Sequence, residues 1–376
     1  MPEWSGAPLR RGSRGAAVAR LQEKLLALGY DPGPIDGEFG LLTEEAVYQL
    51  QADYHLRRDG VAGRQVAQLL GAGLPSGLRL VHSLSPGDDL YDLAERYGVS
   101  PAFLRRLARD AGSRDLAPGT RLVIPVRPVL GMVEESEPQS LERLRRALSR
   151  HRKQVTALVA PWLSVAPDGT AGGKVDAAVW ELAQDFSLPL VAQVRVAAPD
   201  GLVPTGRRRR QAVGEIARVA SRYRLPGLYL LFDPLAPGER YAAATLTSAL
   251  HRALPPSTQL YLEVAQELQR VADLAEVDRL VVRLPSQSSE EDYAPVRRLL
   301  RRHPCYRLFL GLSATGSRAG FSARLSLVTR LTLSGVVLWD LAAGQEDVFR
   351  AMADLFAVQV SQAWATGRRN IRELRA

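Results

Sequence analysis

The chain has 376 residues, 46% of them hydrophobic and 24% charged, an ordinary globular balance that argues against disordered, collagenous and membrane classes. At roughly 150 residues per domain the length points to two or three domains. The net charge of +9 is carried almost wholly by arginine, because Lys24, Lys153 and Lys174 are the only lysines; such a surface favours polyanions, whether nucleic acid, anionic lipid or wall polymer. Cys305 is the only cysteine, which excludes an intrachain disulfide and a cysteine-based metal cluster. No run approaches the roughly 20 apolar residues of a spanning helix. The opening Met1-Pro2-Glu3-Trp4-Ser5 leads into Gly and Arg, so a secretory signal is not expected and cytosolic synthesis is.

In chain order, Val18, Leu21, Leu25 and Leu28 recur at helical spacing before Gly29, which predicts a helix and its stop. A turn-rich stretch, Asp31 to Gly40, precedes Thr43, a candidate cap for a second helix carrying Val47, Leu50 and Tyr54. Val66, Leu69 and Leu70 predict a short third helix. Gly71-Ala-Gly-Leu-Pro-Ser-Gly77 and Pro125-Val-Arg-Pro128 read as linkers. Between them lies strand, helix, helix, strand: Leu80 to Leu84, Leu90 to Tyr97, Pro101 to Ala108, and Arg121 to Ile124. The expected modules are 1–74, 78–127 and 128–360, with a basic tail at 361–376.

The large module alternates short apolar runs with helical patterns. The runs are 129–133, 155–165, 190–196, 228–232, 259–264, 279–284, 307–312 and 336–338. Eight such strands with intervening helices predict a (β/α)8 TIM-type barrel, a doubly wound open sheet being the alternative. Barrel function sits at the strand C-terminal ends, where Glu134, Trp162, Arg195, Asp233, Glu263, Arg283, Trp339 and Asp340 fall. Asp233 and Arg283 are expected on inward faces, where an Arg partner would lower the Asp pKa and keep it ionised, the wrong state for a general acid. Glu263 could take Arg283 instead. A structural ion-pair network including Arg195, Arg283 and Asp340 is preferred over a catalytic dyad. Arg207-Arg-Arg-Arg210 reads as a solvated helix start rather than a nucleic-acid patch. The scattered histidines give no zinc motif, and no metal or cofactor is expected.

Three resemblances add to this reading. Gly12-Ser-Arg-Gly15, Val18-Ala-Arg-Leu-Gln22, Leu28-Gly-Tyr30, Ile35-Asp-Gly-Glu-Phe-Gly40, Thr43-Glu-Glu-Ala-Val47 and Asp59-Gly-Val61 resemble the peptidoglycan-binding three-helix domain of bacterial wall hydrolases. Departures are Leu50 and Arg64-Gln-Val66. The resemblance implies wall binding through Asp36, Gly37, Phe39 and Gly40; the alternative is that Asp36, Gly37 and Gly40 only make a tight turn. Ser85-Pro-Gly-Asp-Asp-Leu-Tyr-Asp-Leu-Ala94 and Ala117-Pro-Gly-Thr-Arg-Leu-Val-Ile-Pro125 are similar to LysM. That similarity implies an N-acetylglucosamine-glycan groove, with Gly87, Asp88, Asp89 and Leu90 as one wall and the loop at Ala111 and Gly112 as the other; Ala108 stands where LysM usually has Asn.

Val129-Leu-Gly-Met-Val-Glu134, Leu158-Val-Ala-Pro-Trp162, Leu228-Tyr-Leu-Leu-Phe-Asp233 and Gly335-Val-Val-Leu-Trp339 resemble glycoside hydrolase family 18, particularly spore cortex-lytic N-acetylglucosaminidases. Family activity rests on Asp-x-Glu at the fourth strand, with the Glu as acid and the Asp orienting the substrate's acetamide, an exception to the two-carboxylate scheme. Those positions hold Leu231 and Asp233 here, the family's first Asp falls at Pro226, and its acetamide-binding Tyr at Pro285. Trp162 and Trp339 remain as implied sugar contacts, Trp339 as the floor. The expectation is therefore a peptidoglycan-binding protein with an inactive chitinase-like barrel. Its implied setting is the mother cell, then spore cortex, coat or wall, with coat or cortex proteins as partners. The rival expectation is an active N-acetylglucosaminidase using Asp233, Glu134 or Glu263.

Overall fold

The computed structural model describes residues 8–54, 56–71, 79–110, 117–134, 137–166, 168–197, 206–233, 240–255, 257–264, 277–284, 293–303, 305–315, 317–343 and 346–358. The chain divides into two compact units: Met1–Arg127 with Thr329–Ser334 and Met352–Gln359, and the rest from Pro128 onward. The expected LysM residues Ala111 and Gly112, Pro285 and the basic tail lie outside the described residues.

The first unit begins with α1 (Ala16–Ala27), α2 (Leu41–Asp53) and α3 (Arg64–Gly71). Val18, Leu21 and Leu25 form the buried stripe of α1. Its end folds back through Gly29, at φ +82°, with the Tyr30 N–H donating to Leu25 O at 2.8 Å. Two Asp-Gly loops are each held by one buried glutamine. Gln22 Nε2 donates to Asp36 Oδ1 at 3.0 Å and its Oε1 accepts the Gly37 N–H at 2.9 Å. Gln51 repeats the arrangement one helix later, donating to Asp59 Oδ1 at 2.8 Å and accepting the Gly60 N–H at 2.9 Å. Each Asp then accepts the amide two residues on, Glu38 and Val61, so both loops are Asx turns.

β1 (Arg79–Ser83) pairs antiparallel with β2 (Arg121–Pro125), Leu80 opposite Ile124. Between them run α4 (Leu90–Tyr97) and α5 (Pro101–Asp110), which contribute Leu93, Phe103 and Leu104 to one core. Asp89 caps α4 by accepting the Tyr91 N–H at 2.6 Å, and Gly98 ends it at φ +65°. Residues 352–359, counted with the large module from the sequence, group with this unit instead. β2 runs on into Val126, whose edge still offers backbone groups, and Ala357 bridges to it in parallel. The Ala357 N–H donates to Pro125 O at 2.8 Å and the Arg127 N–H to Ala357 O at 2.9 Å.

The second unit is a barrel. Its strands are β3 (Val129–Met132), β4 (Ala157–Val165), β6 (Leu190–Val196), β7 (Gly227–Phe232), β8 (Gln259–Glu263), β9 (Arg279–Arg283), β10 (Leu308–Ser313) and β11 (Gly335–Trp339), with β5 (Ala171–Gly173) a short antiparallel addition to β4. All eight are parallel, and β3 pairs with both β11 and β4, so the sheet closes and the open-sheet alternative is excluded. The helices are α6 (Pro138–His151), α7 (Ala177–Asp185), α8 (Gly206–Arg222), α9 (Arg240–Ala253), α10 (Ala294–Leu300), α11 (Arg318–Arg330) and α12 (Glu346–Ala353). Leu130, Val159, Val191, Tyr229, Tyr261 and Phe309 are among the interior side chains. Gly335 gives Phe309 its space, since a Cβ there would lie 2.3 Å from the ring. None of the described helices is long and apolar enough to cross a membrane.

Gln22 is 1% exposed, and an apolar replacement would strand the Gly37 N–H and unfasten Asp36. Gln22→Leu is expected to destabilise the helical domain by about 1–3 kcal/mol, read as a lower urea midpoint, with Gln51→Leu producing the same effect at the second loop.

Candidate functional site at the barrel mouth

Alternation along a strand sends every second side chain inward, which brings Glu134, Arg195, Asp233, Glu263, Arg283, Ser313 and Trp339 to the C-terminal end of the barrel. On β7 the inward set is Tyr229, Leu231 and Asp233, and Leu231 packs against the interior cluster. Asp233 Oδ1 accepts from Arg195 Nε at 2.7 Å. The expected partner Arg283 is thus not the one that takes Asp233: Arg195 comes from the neighbouring strand β6, in register with Leu231, whereas Arg283 stands two strands away on the other side.

Glu263 accepts the Tyr229 hydroxyl at 2.8 Å. Burial pushes its carboxyl pKa up, against the lowering effects of Tyr229 and Arg283. Glu134 Oε1 accepts the Asp340 N–H at 3.2 Å; its pKa is also raised, by burial first and then by the Asp340 carboxylate, although the Asp340 amide opposes this. Asp340 sits at φ +57°, in the left-handed region that Asp tolerates better than most residues, and accepts the Ser313 hydroxyl. Beside this pair is a cavity of about 120 Å³ lined by Met132, Glu134, Arg143, Asp340 and Leu341 among others. Small-molecule sites run to roughly 300–1,000 Å³, so it is too small for a glycan.

The two tryptophans depart from the expected platforms. Trp339 is only 5% exposed, and the Arg283 guanidinium lies over its ring, 4.6 Å from the centroid. Gly311 makes the arrangement possible, because a Cβ there would sit 2.5 Å from the indole. The floor is therefore covered by a cation rather than open to a sugar. Trp162 is not at the mouth. Its strand carries a bulge against β6 between Ala160 and Leu163, which buries Trp162 and Leu163 in succession and leaves Pro161 and Ser164 exposed. Trp162 turns outward and stacks on Trp180 of α7, centroids 6.0 Å apart.

In the two-strand module, Asp88 Oδ2 accepts the Ser85 N–H at 2.8 Å and contacts His82 Nε2 at 3.0 Å, and the Ser85 amide holds its pKa below the usual range, helped by His82. With Asp89 capping α4 and Leu90 6% exposed, these expected groove side chains are spent on building the turn. Gly87, at φ +92°, faces open space: a Cβ there would meet nothing within 4 Å. Tyr91, absent from the sequence expectations, is 63% exposed four residues after Gly87; its signal was an aromatic residue on the polar side of an amphipathic helix. In the helical domain Phe39 is 2% exposed, Asp36 and Gly37 are held by Gln22, and Gly40 precedes α2 as its N-cap residue. Ile35, Leu41 and Leu42 beside that loop are open to solvent at 46%, 61% and 56%, as are Leu26 of α1 and Tyr48 of α2 at 41% and 42%.

Residues 14–70 match the peptidoglycan binding domain family and residues 82–125 the LysM domain family. An N-acetylmuramoyl-L-alanine amidase, CwlM, of Mycobacterium tuberculosis is 37% identical over 91 residues, 22% of this chain and 21% of the relative. A zinc D-Ala-D-Ala carboxypeptidase of Streptomyces albus G is 46% identical over 65 residues, 16% of this chain and 24% of the relative. The chain thus spans less than a quarter of either curated relative. Among solved structures, the spore cortex-lytic enzyme SleL of Bacillus megaterium superposes with a TM-score of 0.53 at 12% identity, covering 84% of this chain and 96% of that one. A chitinase of Chromobacterium violaceum superposes with a TM-score of 0.52 at 14% identity, covering 60% and 98%.

Two measurements follow. Trp162→Ala is expected to cost about 3–5 kcal/mol in denaturant unfolding, where an open sugar platform would cost little. Glu263 holds its proton to higher pH folded than unfolded, so between its ordinary and raised pKa the native state binds more protons and stability falls as pH rises. Glu263→Gln keeps an acceptor for Tyr229 and is expected to flatten that decline in a series of melting temperatures above pH 4.5. The chain carries a peptidoglycan-binding three-helix domain and a LysM domain, followed by an eight-stranded parallel barrel with the fold of SleL and of chitinases.

Proposed function

We propose that the chain is a peptidoglycan-binding protein whose barrel does not hydrolyse glycans, acting at the spore cortex or cell wall. The observation that carries the reading is on β7. Leu231 occupies the position that must hold an acetamide N–H, and Asp233 is engaged by Arg195 at 2.7 Å rather than presented to a glycosidic oxygen. Asp233 is also one methylene shorter than the Glu of a substrate-assisted hydrolase, a displacement of more than about an ångström where catalytic geometry tolerates roughly half that. Two glycan modules on one chain bind jointly more tightly than either alone, so modest affinity in each is sufficient, and the arginine-rich surface adds attraction to a carboxylate-bearing wall. Gly87 and Tyr91 on the LysM domain, with Ile35, Leu41 and Leu42 on the helical domain, are the proposed contacts. The spore setting is supported by the barrel's likeness to a spore cortex-lytic enzyme, with cortex or coat proteins as neighbours.

A second reading, an active N-acetylglucosaminidase, is favoured by one observation: burial raises the pKa of both Glu134 and Glu263, the direction that suits a proton donor. The two readings separate in one experiment. Purified chain is incubated with cortex and vegetative peptidoglycan, and the soluble fraction is analysed by mass spectrometry beside Asp233→Asn, Glu134→Gln and Glu263→Gln. Co-sedimentation with the wall and no new N-acetylglucosamine reducing ends are expected from all four proteins. Muropeptide release by the parent chain that one variant abolishes would make that residue the acid and sink the inactive-barrel reading.

A further inference from the structure

Every carboxylate at the barrel mouth described above has a partner: Asp233 has Arg195, Glu263 has Tyr229, Glu134 has the Asp340 amide, and Asp340 has Ser313. Arg283 differs. Among the described residues it has no hydrogen bond or ion pair, yet it is exposed and its guanidinium is held over the Trp339 ring at 4.6 Å. The indole is itself packed: Tyr229 meets it edge-on at 6.3 Å, and it lies against Gly311, where a Cβ would stand 2.5 Å from the ring. A guanidinium laid on an aromatic face keeps its edge N–H donors directed away from the ring, in the planar fork that matches a carboxylate. Stacking therefore removes most of the rotamer freedom that binding would otherwise cost.

We propose that the mouth of the barrel binds a carboxylate-bearing segment of peptidoglycan, with Arg283 braced on Trp339 as the receptor. The proposal rests on the wall-binding reading above and names what the barrel contributes to it. The site recognises the charged end of a peptide stem or of a glycan substituent rather than a sugar face, because the face that would stack on a sugar is already occupied by Arg283. Glu134 and Glu263 stand near enough to feel Arg283, but among the described residues neither forms an ion pair with it, so a carboxylate of the mouth does not take its N–H edge. Arg195 remains with Asp233 on the opposite side of the mouth and is not needed for the fork.

The test uses the full chain and three soluble probes: muropeptides with free stem carboxylates, the same muropeptides with those carboxylates amidated, and chitin oligomers, titrated by calorimetry. A charge-assisted pair contributes roughly 1.5–3 kcal/mol, so the parent chain is expected to bind the free-acid form about tenfold or more tightly than the amidated one. Arg283→Gln should erase that preference while leaving the affinity for chitin oligomers unchanged. Arg283→Lys keeps the charge but not the fork, and should retain only part of it. Equal binding of the two muropeptides by the parent chain, or an undiminished preference in Arg283→Gln, overturns the proposal. Co-sedimentation of the same proteins with intact wall reports separately on the wall-binding reading, so that loss of carboxylate selectivity with sedimentation intact sinks this inference alone.

Discussion

The pairing of β3 with both β4 and β11 is the constraint on which the mouth depends. Once the sheet closes, every barrel strand has a neighbour on both sides, and the two-residue alternation of each strand decides which side chains point inward. Tyr229, Leu231 and Asp233 are then committed to one column, Arg283 to another and Trp339 to a third. A single extra residue is enough to break the assignment, as β4 shows: its bulge places Trp162 in the layer between strand and helix, where Trp180 receives it.

Within that frame the charges of the mouth largely satisfy one another. Salt bridges at an exposed rim contribute little to stability, and Arg195 is 65% exposed in its pair with Asp233, so the pair matters more for where it holds the Asp oxygen than for holding the barrel together. The buried members behave differently. Glu263 gives up solvation for one tyrosine hydroxyl, and the raised pKa is the direct mark of that exchange. The stability of the barrel comes from the aliphatic and aromatic layers beneath, where Tyr261 and Phe309 meet edge to face at 5.5 Å.

Much of the architecture was legible in the sequence because each element had a local signature. All eight barrel strands are short β-branched or leucine-rich runs, and each begins and ends within a few residues of the run that predicts it. β5 was not legible, since Ala171-Gly172-Gly173 has no strand propensity and pairs only because β4 offers an edge beyond the bulge. The position of Trp162 required knowledge of that bulge, which no local pattern signals. Asp88 and Asp89 are read from the sequence as part of a groove wall, while the bonds they accept, Asp88 from Ser85 and Asp89 from Tyr91, emerge only once the turn and α4 are in place. The stack of Arg283 on Trp339 joins residues 56 positions apart on β9 and β11, with β10 and its Gly311 between them. It is a product of register and is invisible to any window along the chain.

The parallel bridge of Ala357 to Val126 has a consequence for the order of events during synthesis. Ala357 belongs to the same core as Leu93 and Ile124, yet it leaves the ribosome more than 200 residues after β2. At about 5–20 residues per second, the LysM domain must wait tens of seconds with one side of its core uncovered, until the whole barrel has been made. The nascent domain therefore presents its unfinished edge to chaperones and to neighbouring chains throughout that interval, and the arrival of Ala357 completes its core.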